Sequence, residues 1–355
     1  MADPGGGHPG CGALGHGVLR HGAFGHGALA DSAPENSALR DGALGDRDLE
    51  HGALRHVALF YRDPAEHRAQ MLSFARAGLA QGEPLFIAVP AARALGDQLA
   101  LEPGEFACSD ITDAGRNPAR LIPELRAFFD KHAGRRVRVL GEPAWPRRSP
   151  AEIREVIRHE ALVNLAFPET QATVMCAYDV SRLAPAAVSG ARLTHPEYLG
   201  DGRLAAPGPV PVWQVPPECD RPLPPPPAGA EALDYQVDLA PVRRLVEGHA
   251  RRCGLAPERV ADLVLAANEI AANTLGHTSS GGMLQVWHDA AEILCQVQDQ
   301  GWIADPLAGR VKRPPDGRGH GLFLVNQVCD LVELRTGPGG TTVRMHMNLG
   351  DRGPA

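Results

Sequence analysis

The stretch ANEIAANTLGHT, residues 267–278, decides how the second half of the chain folds. Its polar residues Glu269, Asn273 and His277 recur at every fourth position, the spacing that places side chains along one side of an α-helix. The apolar positions of the same helix fall within a sector of about 120° beside this stripe: Leu263, Val264, Ala267, Ile270, Ala271 and Thr274. A polar stripe beside a core face predicts a helix that lines a cleft, although such a stripe is also the ordinary surface of a helix.

Three glycine-bearing motifs follow this helix. DQG at 299–301 ends an apolar strand, where the glycine permits a turn or the approach of a ligand to the Asp299 carboxylate. GRGHGL at 317–322 leads into a helix, whose free backbone N–H groups and positive end favour a phosphate. GGTT at 339–342 begins the last strand. Each motif alone is also typical of a turn, but their order and spacing together indicate a nucleotide site.

Residues 232–349 resemble the GHKL (Bergerat-fold) ATPase domains, and among them most resemble the anti-sigma-factor serine/threonine kinases. The resemblance is carried by four motifs in the family's order. The E-x-x-x-N-x-x-x-H motif matches Glu269, Asn273 and His277, and the D-x-G motif matches Asp299 and Gly301. The G-x-G-x-G lid matches Gly317, Gly319 and Gly321, and the G-T-T motif matches Gly340, Thr341 and Thr342. The resemblance implies an α+β two-layer domain that binds ATP with Mg²⁺. The pattern of helices and strands in this region suggests helices that cover one face of a mixed sheet.

The same resemblance implies a role for each matched residue. Asn273 would coordinate Mg²⁺ through its side-chain oxygen, Asp299 would accept a hydrogen bond from the adenine amine, and Glu269 would act as general base on the attacking hydroxyl. The other implied ATP-binding residues are Gly301, Gly317, Gly319, Gly321, Leu322, Thr341 and Thr342. His277 and His320 are further candidates, and for His277 a structural role at the helix end is an equal alternative.

Residues 51–200 alternate between strand-like and helical segments. The strand-like runs are HVALFY (56–61), PLFIAVP (84–90), RVRVLGE (136–142) and TVMCAYD (173–179). Helical patterns occupy 64–82, 121–132 and 149–167, the last with Ser149 as N-cap and Pro150 at the first helical position. This alternation predicts an α/β domain with a largely parallel sheet.

The same region resembles the MEDS sensory domain of bacterial regulators. The matching stretches are HVALFY, RVRVLGEPAWP (136–146), RHEALVNLAF (158–167) and CAYDVSRL (176–183). The resemblance implies a RecA-like α/β core. Lys131 and Lys312 are the only lysines of the chain, and neither lies in a Walker-A motif. We therefore expect this domain to sense a signal rather than to hydrolyse a nucleotide.

His159 and Glu160, on the third of these helices, suggest two sharper interpretations. The zinc motif H-E-x-x-H is excluded because residue 163 is valine. A phosphoacceptor histidine is the other interpretation, but such a histidine needs a dimerising helical hairpin directly before the ATPase domain. We expect instead a polar patch of the helix or the lining of a sensory pocket.

Two further segments have biased composition. Residues 1–50 repeat five-residue units such as HGVLR (16–20), and predict either a disordered Gly/His-rich tail, which we favour, or a pentapeptide-repeat β-helix. The histidines grouped with this segment could pick up metal, but no spacing specifies a site: His8, His16, His21, His26, His51 and His56. Residues 201–231 are rich in proline and predict a stiff linker.

Composition bounds the class of protein. A net charge of −7 argues against a general nucleic-acid-binding surface. The 7 cysteines form no C-x-x-C pair and fit reduced thiols in the cytoplasm. No apolar run approaches the roughly 18–20 residues of a membrane-spanning helix. We expect a cytoplasmic protein that binds neither nucleic acid nor a membrane.

Three functional hypotheses follow. The first is an ATP-dependent kinase that phosphorylates Ser or Thr on an anti-anti-sigma (STAS-type) protein under control of the sensory domain. A sigma factor is the alternative partner, and a homodimer is a further expectation. The second is a sensor histidine kinase that uses His159. The third is a nucleotide-dependent module that binds a sigma factor without phosphorylating it.

Overall fold

The computed structural model describes residues 54–90, 104–112, 114–200, 203–205, 215–312 and 320–350. Gly317 and Gly319 of the lid motif lie outside the described residues, and so does the predicted disordered tail of residues 1–50. Within the described ranges, no helix combines the length and the apolar composition needed to cross a membrane.

The first domain is built on a sheet of predominantly parallel strands. Its strands are β1 (Arg55–Tyr61), β2 (Leu85–Val89), β3 (Phe106–Asp110), β4 (Val137–Gly141), β5 (Ala172–Asp179), β6 (Glu197–Gly200) and β7 (Arg203–Ala205). Among the described strands the order is β3-β2-β4-β5-β1-β6-β7. Only β7 runs antiparallel to its neighbour, so the prediction of an α/β domain with a largely parallel sheet is confirmed. The strands β3, β6 and β7 were not predicted.

Among the described residues, four helices pack on this sheet: α1 (Pro64–Ala80), α2 (Leu121–Lys131), α3 (Pro150–Ala166) and α4 (Pro185–Thr194). Helix α3 begins as the sequence predicts. The Ser149 side chain accepts a hydrogen bond from the backbone N–H of Glu152, and the Glu152 carboxylate accepts one from the backbone N–H of Ser149. Eleven residues of α3 are buried, including three ionisable ones besides Glu152, because this helix packs on both domains.

The second domain consists of helices on one face of an antiparallel sheet. Its helices are α5 (Ala240–Arg252), α6 (Pro257–His277) and α7 (His320–Val328). Its strands are β8 (Glu231–Tyr235), β9 (Gly282–His288), β10 (Glu292–Asp299), β11 (Leu331–Gly337) and β12 (Gly340–Asn348). The described strands are ordered β11-β12-β10-β9-β8. This is the α+β two-layer architecture that the sequence predicts.

One expectation about this sheet is wrong. The pattern of helices and strands suggested a mixed sheet, but every pairing between the described strands is antiparallel. For two of the four pairings the reason is local, because β9 and β10, like β11 and β12, are joined by turns of only a few residues, which are too short for a parallel crossover.

Helix α6 lies at the centre of the hydrophobic core of the second domain. Leu263, Ala267 and Ala271 have no exposed surface and Ile270 has 4%. They pack against strand residues such as Val286, and the predicted core face of the helix is therefore confirmed.

The two domains meet along α3 and β11. The Arg154 guanidinium donates to Glu333 Oε1 at 3.1 Å, and Arg335 donates to Glu155 Oε1 at 2.9 Å. The proline-rich segment, described from residue 215, lies against the same helix, where Arg158 donates to the backbone oxygen of Cys219 at 2.5 Å. This part of the segment is held by α3 rather than extending as a spacer.

Candidate nucleotide-binding site

Helix α6 presents its polar stripe at the edge of the second core. Glu269 and Asn273 are half-buried, whereas His277 is exposed at the last position of the helix. Among the described residues, the side chains of Glu269 and Asn273 have no hydrogen-bond or ion-pair partner, so their oxygens are available to a ligand. The position of His277 at the helix end places it apart from the pair.

Gly321, in the first turn of α7, lies directly against these two side chains. A Cβ atom at Gly321 would lie 2.9 Å from Glu269 Oε2 and 3.2 Å from Asn273 Nδ2. Leu322, next along the helix, is buried in the second core and fixes α7 against α6. His320 is the first residue of α7. The end of the glycine lid and the polar stripe, 48 residues apart between Asn273 and Gly321, therefore form one wall of a site.

Asp299, at the end of β10, is held in a fixed orientation by both of its oxygens. Oδ2 accepts a hydrogen bond from the Thr274 hydroxyl at 2.6 Å, and Oδ1 accepts one from the backbone N–H of Gly301 at 2.7 Å. A carboxylate offers about four acceptor positions, so two remain for a donor on a ligand. Burial, together with the nearby charge of Asp299, raises the pKa of Tyr235 to about 12, and the phenol beside this turn stays neutral.

Thr274 is a site residue that the sequence did not reveal. It was grouped with the apolar face of α6, and it is indeed buried. Its hydroxyl, however, orients the carboxylate of Asp299. The sequence feature that could have revealed Thr274 is a hydroxyl on an otherwise apolar helix face, one position after Asn273.

The GTT motif supports the Asp299 turn from the neighbouring strand. Thr341 pairs with Asp299 across β10 and β12, and its hydroxyl donates to the backbone oxygen of Gly301 at 2.8 Å. Gly340 has a positive φ of 106°, and a Cβ atom there would lie 2.1 Å from the backbone oxygen of Asp299. Thr342 accepts from Gln298 at 3.3 Å. A glycine at 340 is therefore required for this close approach of the strands.

The segment that leads to the glycine lid, residues 302–312 and here called the lid arm, is fixed by both domains. The Asn326 amide of α7 donates to the backbone oxygen of Gly309 at 3.0 Å. Arg310 donates to Glu155 Oε2 of the sensory helix at 3.1 Å. Leu307 and Val311 pack against the core of the first domain. No sequence motif pointed to these contacts.

The arrangement is that of a nucleotide-binding site. A half-buried carboxylate and amide face a glycine at a helix start, and an oriented carboxylate marks a strand end nearby. The residues present fit ATP with a hard cation, because Asn273 and Glu269 supply oxygen donors and the helix start supplies N–H groups.

Comparison with protein families identifies the class of the second domain and then that of the first. Residues 233–347 match the histidine kinase-like ATPase domain. Residues 55–196 match MEDS, the methanogen/methylotroph DcmR sensory domain. The chain is therefore a MEDS sensory domain followed by a histidine kinase-like ATPase domain, as the sequence predicts. No curated protein matches it.

Proposed function

We propose that the protein is an ATP-dependent signalling kinase of the anti-sigma regulatory type. It transfers phosphate to a Ser or Thr hydroxyl of an anti-anti-sigma (STAS-type) protein, and the MEDS domain controls this transfer. The observation that carries the proposal is the contact of Gly321 with both Glu269 and Asn273. The start of α7, the natural place for phosphate, is within reach of a base and of a metal ligand at once.

Each residue then has a distinct chemical task. ATP supplies the phosphoryl group, and Mg²⁺ neutralises its charge. Asn273 holds the cation through its side-chain oxygen, and Glu269, one helical turn earlier, takes the proton of the attacking hydroxyl. Asp299 accepts from the adenine amine, and Thr341 keeps the Asp299 turn in place.

Control by the first domain is supported by the contacts of the lid arm. Glu155 holds Arg310 of the arm, while Arg120 donates to the backbone oxygens of Asn326 and Cys329 at 2.9 and 2.6 Å. The first domain thus contacts described residues both before and after the glycine lid. A shift of α3 would change the position of the lid and with it the access to the phosphate site.

The histidine kinase hypothesis is less well supported by the geometry. The His159 side chain is only 4% exposed, and burial lowers its pKa to about 4. A phosphoacceptor must reach the γ-phosphate of a bound nucleotide, and a ring enclosed in the sensory core does not.

Phosphate transfer to a partner tests the proposal. The full-length protein is incubated with γ-labelled ATP, Mg²⁺ and a STAS-type protein, and the label is followed on the partner. We expect acid-stable phosphate, because phosphoserine and phosphothreonine resist acid. The Glu269→Gln variant should lose about 10²–10⁴-fold in transfer rate while its ATP affinity stays nearly unchanged.

Asn268→Ala is the matched control, since Asn268 lies on the same helix and bonds Arg243 instead of facing the site. It should transfer phosphate at the wild-type rate. Retained partner binding without transfer in the wild type would identify a nucleotide-dependent binding module. Acid-labile phosphate that disappears in His159→Gln would identify a histidine kinase. Failure of the wild-type protein to bind ATP with Mg²⁺ would contradict all three functional hypotheses.

A further inference from the structure

Four side chains with metal-binding atoms converge in the core of the sensory domain. They are His56 on β1, Glu160 on α3, Cys176 on β5 and His195, which directly follows α4. All four are buried, and their ligand atoms lie within 4.8 Å of one another. His56 was grouped with the tail histidines from the sequence, but it is a residue of the sheet.

The separations match the edges of a tetrahedral metal site. His56 Nε2 and His195 Nε2 lie 3.1 and 3.0 Å from Glu160 Oε2, and Cys176 Sγ lies 3.6 Å from His56 Nε2. A tetrahedral ion with bonds of about 2.0–2.1 Å to nitrogen and oxygen separates these ligands by about 3.3 Å. With a bond of about 2.3 Å to sulfur, the sulfur lies about 3.6 Å from a nitrogen.

Both imidazoles are oriented from outside the cluster. His56 Nδ1 lies 3.0 Å from the amide oxygen of Asn164, and His195 Nδ1 lies 2.8 Å from the backbone oxygen of Ala191. Each ring therefore directs its Nδ1 proton outward and its Nε2 inward, so a metal ion would bind the neutral ring through Nε2. This is the way outer partners orient metal-bound histidines.

Two of the inward atoms lack a hydrogen bond. In the described part of the chain, Glu160 Oε2 and His195 Nε2 lie 3.0 Å apart, within ion-pair distance, but the two atoms are not aligned as a hydrogen bond. Their side chains are 2% and 0% exposed, so water does not reach them from the surface. Buried polar atoms are rarely left in this way, and a cation between them would satisfy both.

Charge balance agrees with a divalent ion. A glutamate and a cysteine thiolate together carry two negative charges, and two neutral histidines add none, so a divalent ion gives a neutral buried site. The mixture of nitrogen, sulfur and one oxygen suits zinc and its borderline neighbours better than Mg²⁺ or Ca²⁺.

A second group, His249, Cys253 and His288, fits a metal less well. It offers three ligand residues instead of four, although His249 Nε2 lies 3.2 Å from His288 Nδ1. His288 is also exposed.

We propose that His56, Glu160, Cys176 and His195 bind one divalent transition-metal ion of the zinc type inside the MEDS domain. The proposal is independent of the kinase activity. It gives the sensory domain a binding site of its own. The site is connected to the ATPase domain through α3, which carries Glu160 as well as Arg154 and Glu155.

Cobalt substitution of the full-length protein tests the site. After removal of metal with a chelator, the protein is titrated with Co²⁺, and absorption is recorded for tetrahedral cobalt and for cobalt–thiolate charge transfer. We expect both signals in the wild type and loss of the charge-transfer band in Cys176→Ser. Cys11→Ser and Cys253→Ser should keep the band and serve as controls for other cobalt sites. Cys11 neighbours His8 and His16 in the sequence, and Cys253 belongs to the group with His249 and His288.

A second measurement uses only the wild-type protein, so it does not depend on whether a variant folds. Zinc should raise the thermal midpoint of the first unfolding transition in the wild type, because an ion that binds only the folded state stabilises it. The proposal is overturned if the wild type shows no thiolate band, if Cys176→Ser keeps the band, or if Cys253→Ser or Cys11→Ser abolishes it. Zinc that leaves the thermal midpoint of the metal-free wild type unchanged also overturns it.

Discussion

Glu155 of the sensory helix and Arg310 of the lid arm form a buried ion pair between the two domains, with 3.1 Å between Glu155 Oε2 and Arg310 Nη2. Burial lowers the pKa of Arg310 to about 10, which leaves it charged at neutral pH. Glu155 Oε1 is bound at the same time by Arg335 of β11. One carboxylate therefore joins the sensory helix to the lid arm and to the sheet of the ATPase domain.

Arg310→Met should destabilise the protein and loosen the lid arm. Removing one partner of a buried pair leaves the other charge poorly compensated, and we expect a loss of about 3 kcal/mol in the free energy of unfolding. The loss should lie near the lower end of the range for buried ion pairs, because Arg335 still pairs with Glu155. Urea unfolding measures it, and ATP affinity should fall in the same variant.

Arg251→Met is the matched control, because Arg251 forms an exposed pair with Glu247. An exposed pair contributes less than about 1 kcal/mol, and ATP affinity should not change. Equal losses in the two variants would contradict a special role for the Glu155–Arg310 pair.

Gly340→Ala should damage the Asp299 turn, the proposed adenine side of the site. The new Cβ would meet the backbone oxygen of Asp299 and would occupy a positive φ. We expect a loss of roughly 1–3 kcal/mol in stability and about a tenfold weaker ATP affinity, measured by urea unfolding and calorimetry.

Gly339→Ala provides the comparison one residue earlier, where a Cβ would meet no described atom within 4 Å. Its stability should change by less than about 0.5 kcal/mol. If Gly339→Ala weakened ATP binding as much as Gly340→Ala, the contact with Asp299 would not be the cause.

His346 makes stability depend on alkaline pH. Burial alone would lower its pKa, but hydrogen bonds to Glu292 and Glu333 raise it to about 9. Its pKa in the unfolded chain is about 6.5, so the stabilisation is complete below about pH 6.5 and is lost as pH rises through 9. The effect is on the order of 3 kcal/mol.

Urea unfolding between pH 6 and 10 should therefore show a decline in wild-type stability that is reduced in His346→Gln. The glutamine cannot lose a proton in this range. A parallel decline in both proteins would mean that His346 is not the titrating group.

The elements with strong periodic patterns could be predicted from the sequence, whereas the short and exposed ones could not. Helix α3 and strand β5 are largely buried, and their positions agree with prediction within a residue or two. Strand β3 is largely exposed, and it lacks the apolar alternation by which a strand is recognised.

The site shows the same division. Glu269 and Asn273 could be recognised because a helix brings residues four apart to one side. Thr274, Arg310 and Glu155 act through partners that lie 25 to 155 residues away, and no local pattern records such contacts.

Helix α3 serves two domains at once, and this limits how the protein can be recombined. A chimera that replaced the MEDS domain at the proline-rich segment would remove Glu155 and Arg154 together with the sensor. Arg310 would lose its counter-ion, and Arg335 and Glu333 would each lose one partner while still pairing with each other. A foreign sensor would have to bring a helix with the same charged face. The exchangeable unit of this architecture is the sensory domain plus the matching surface of the ATPase.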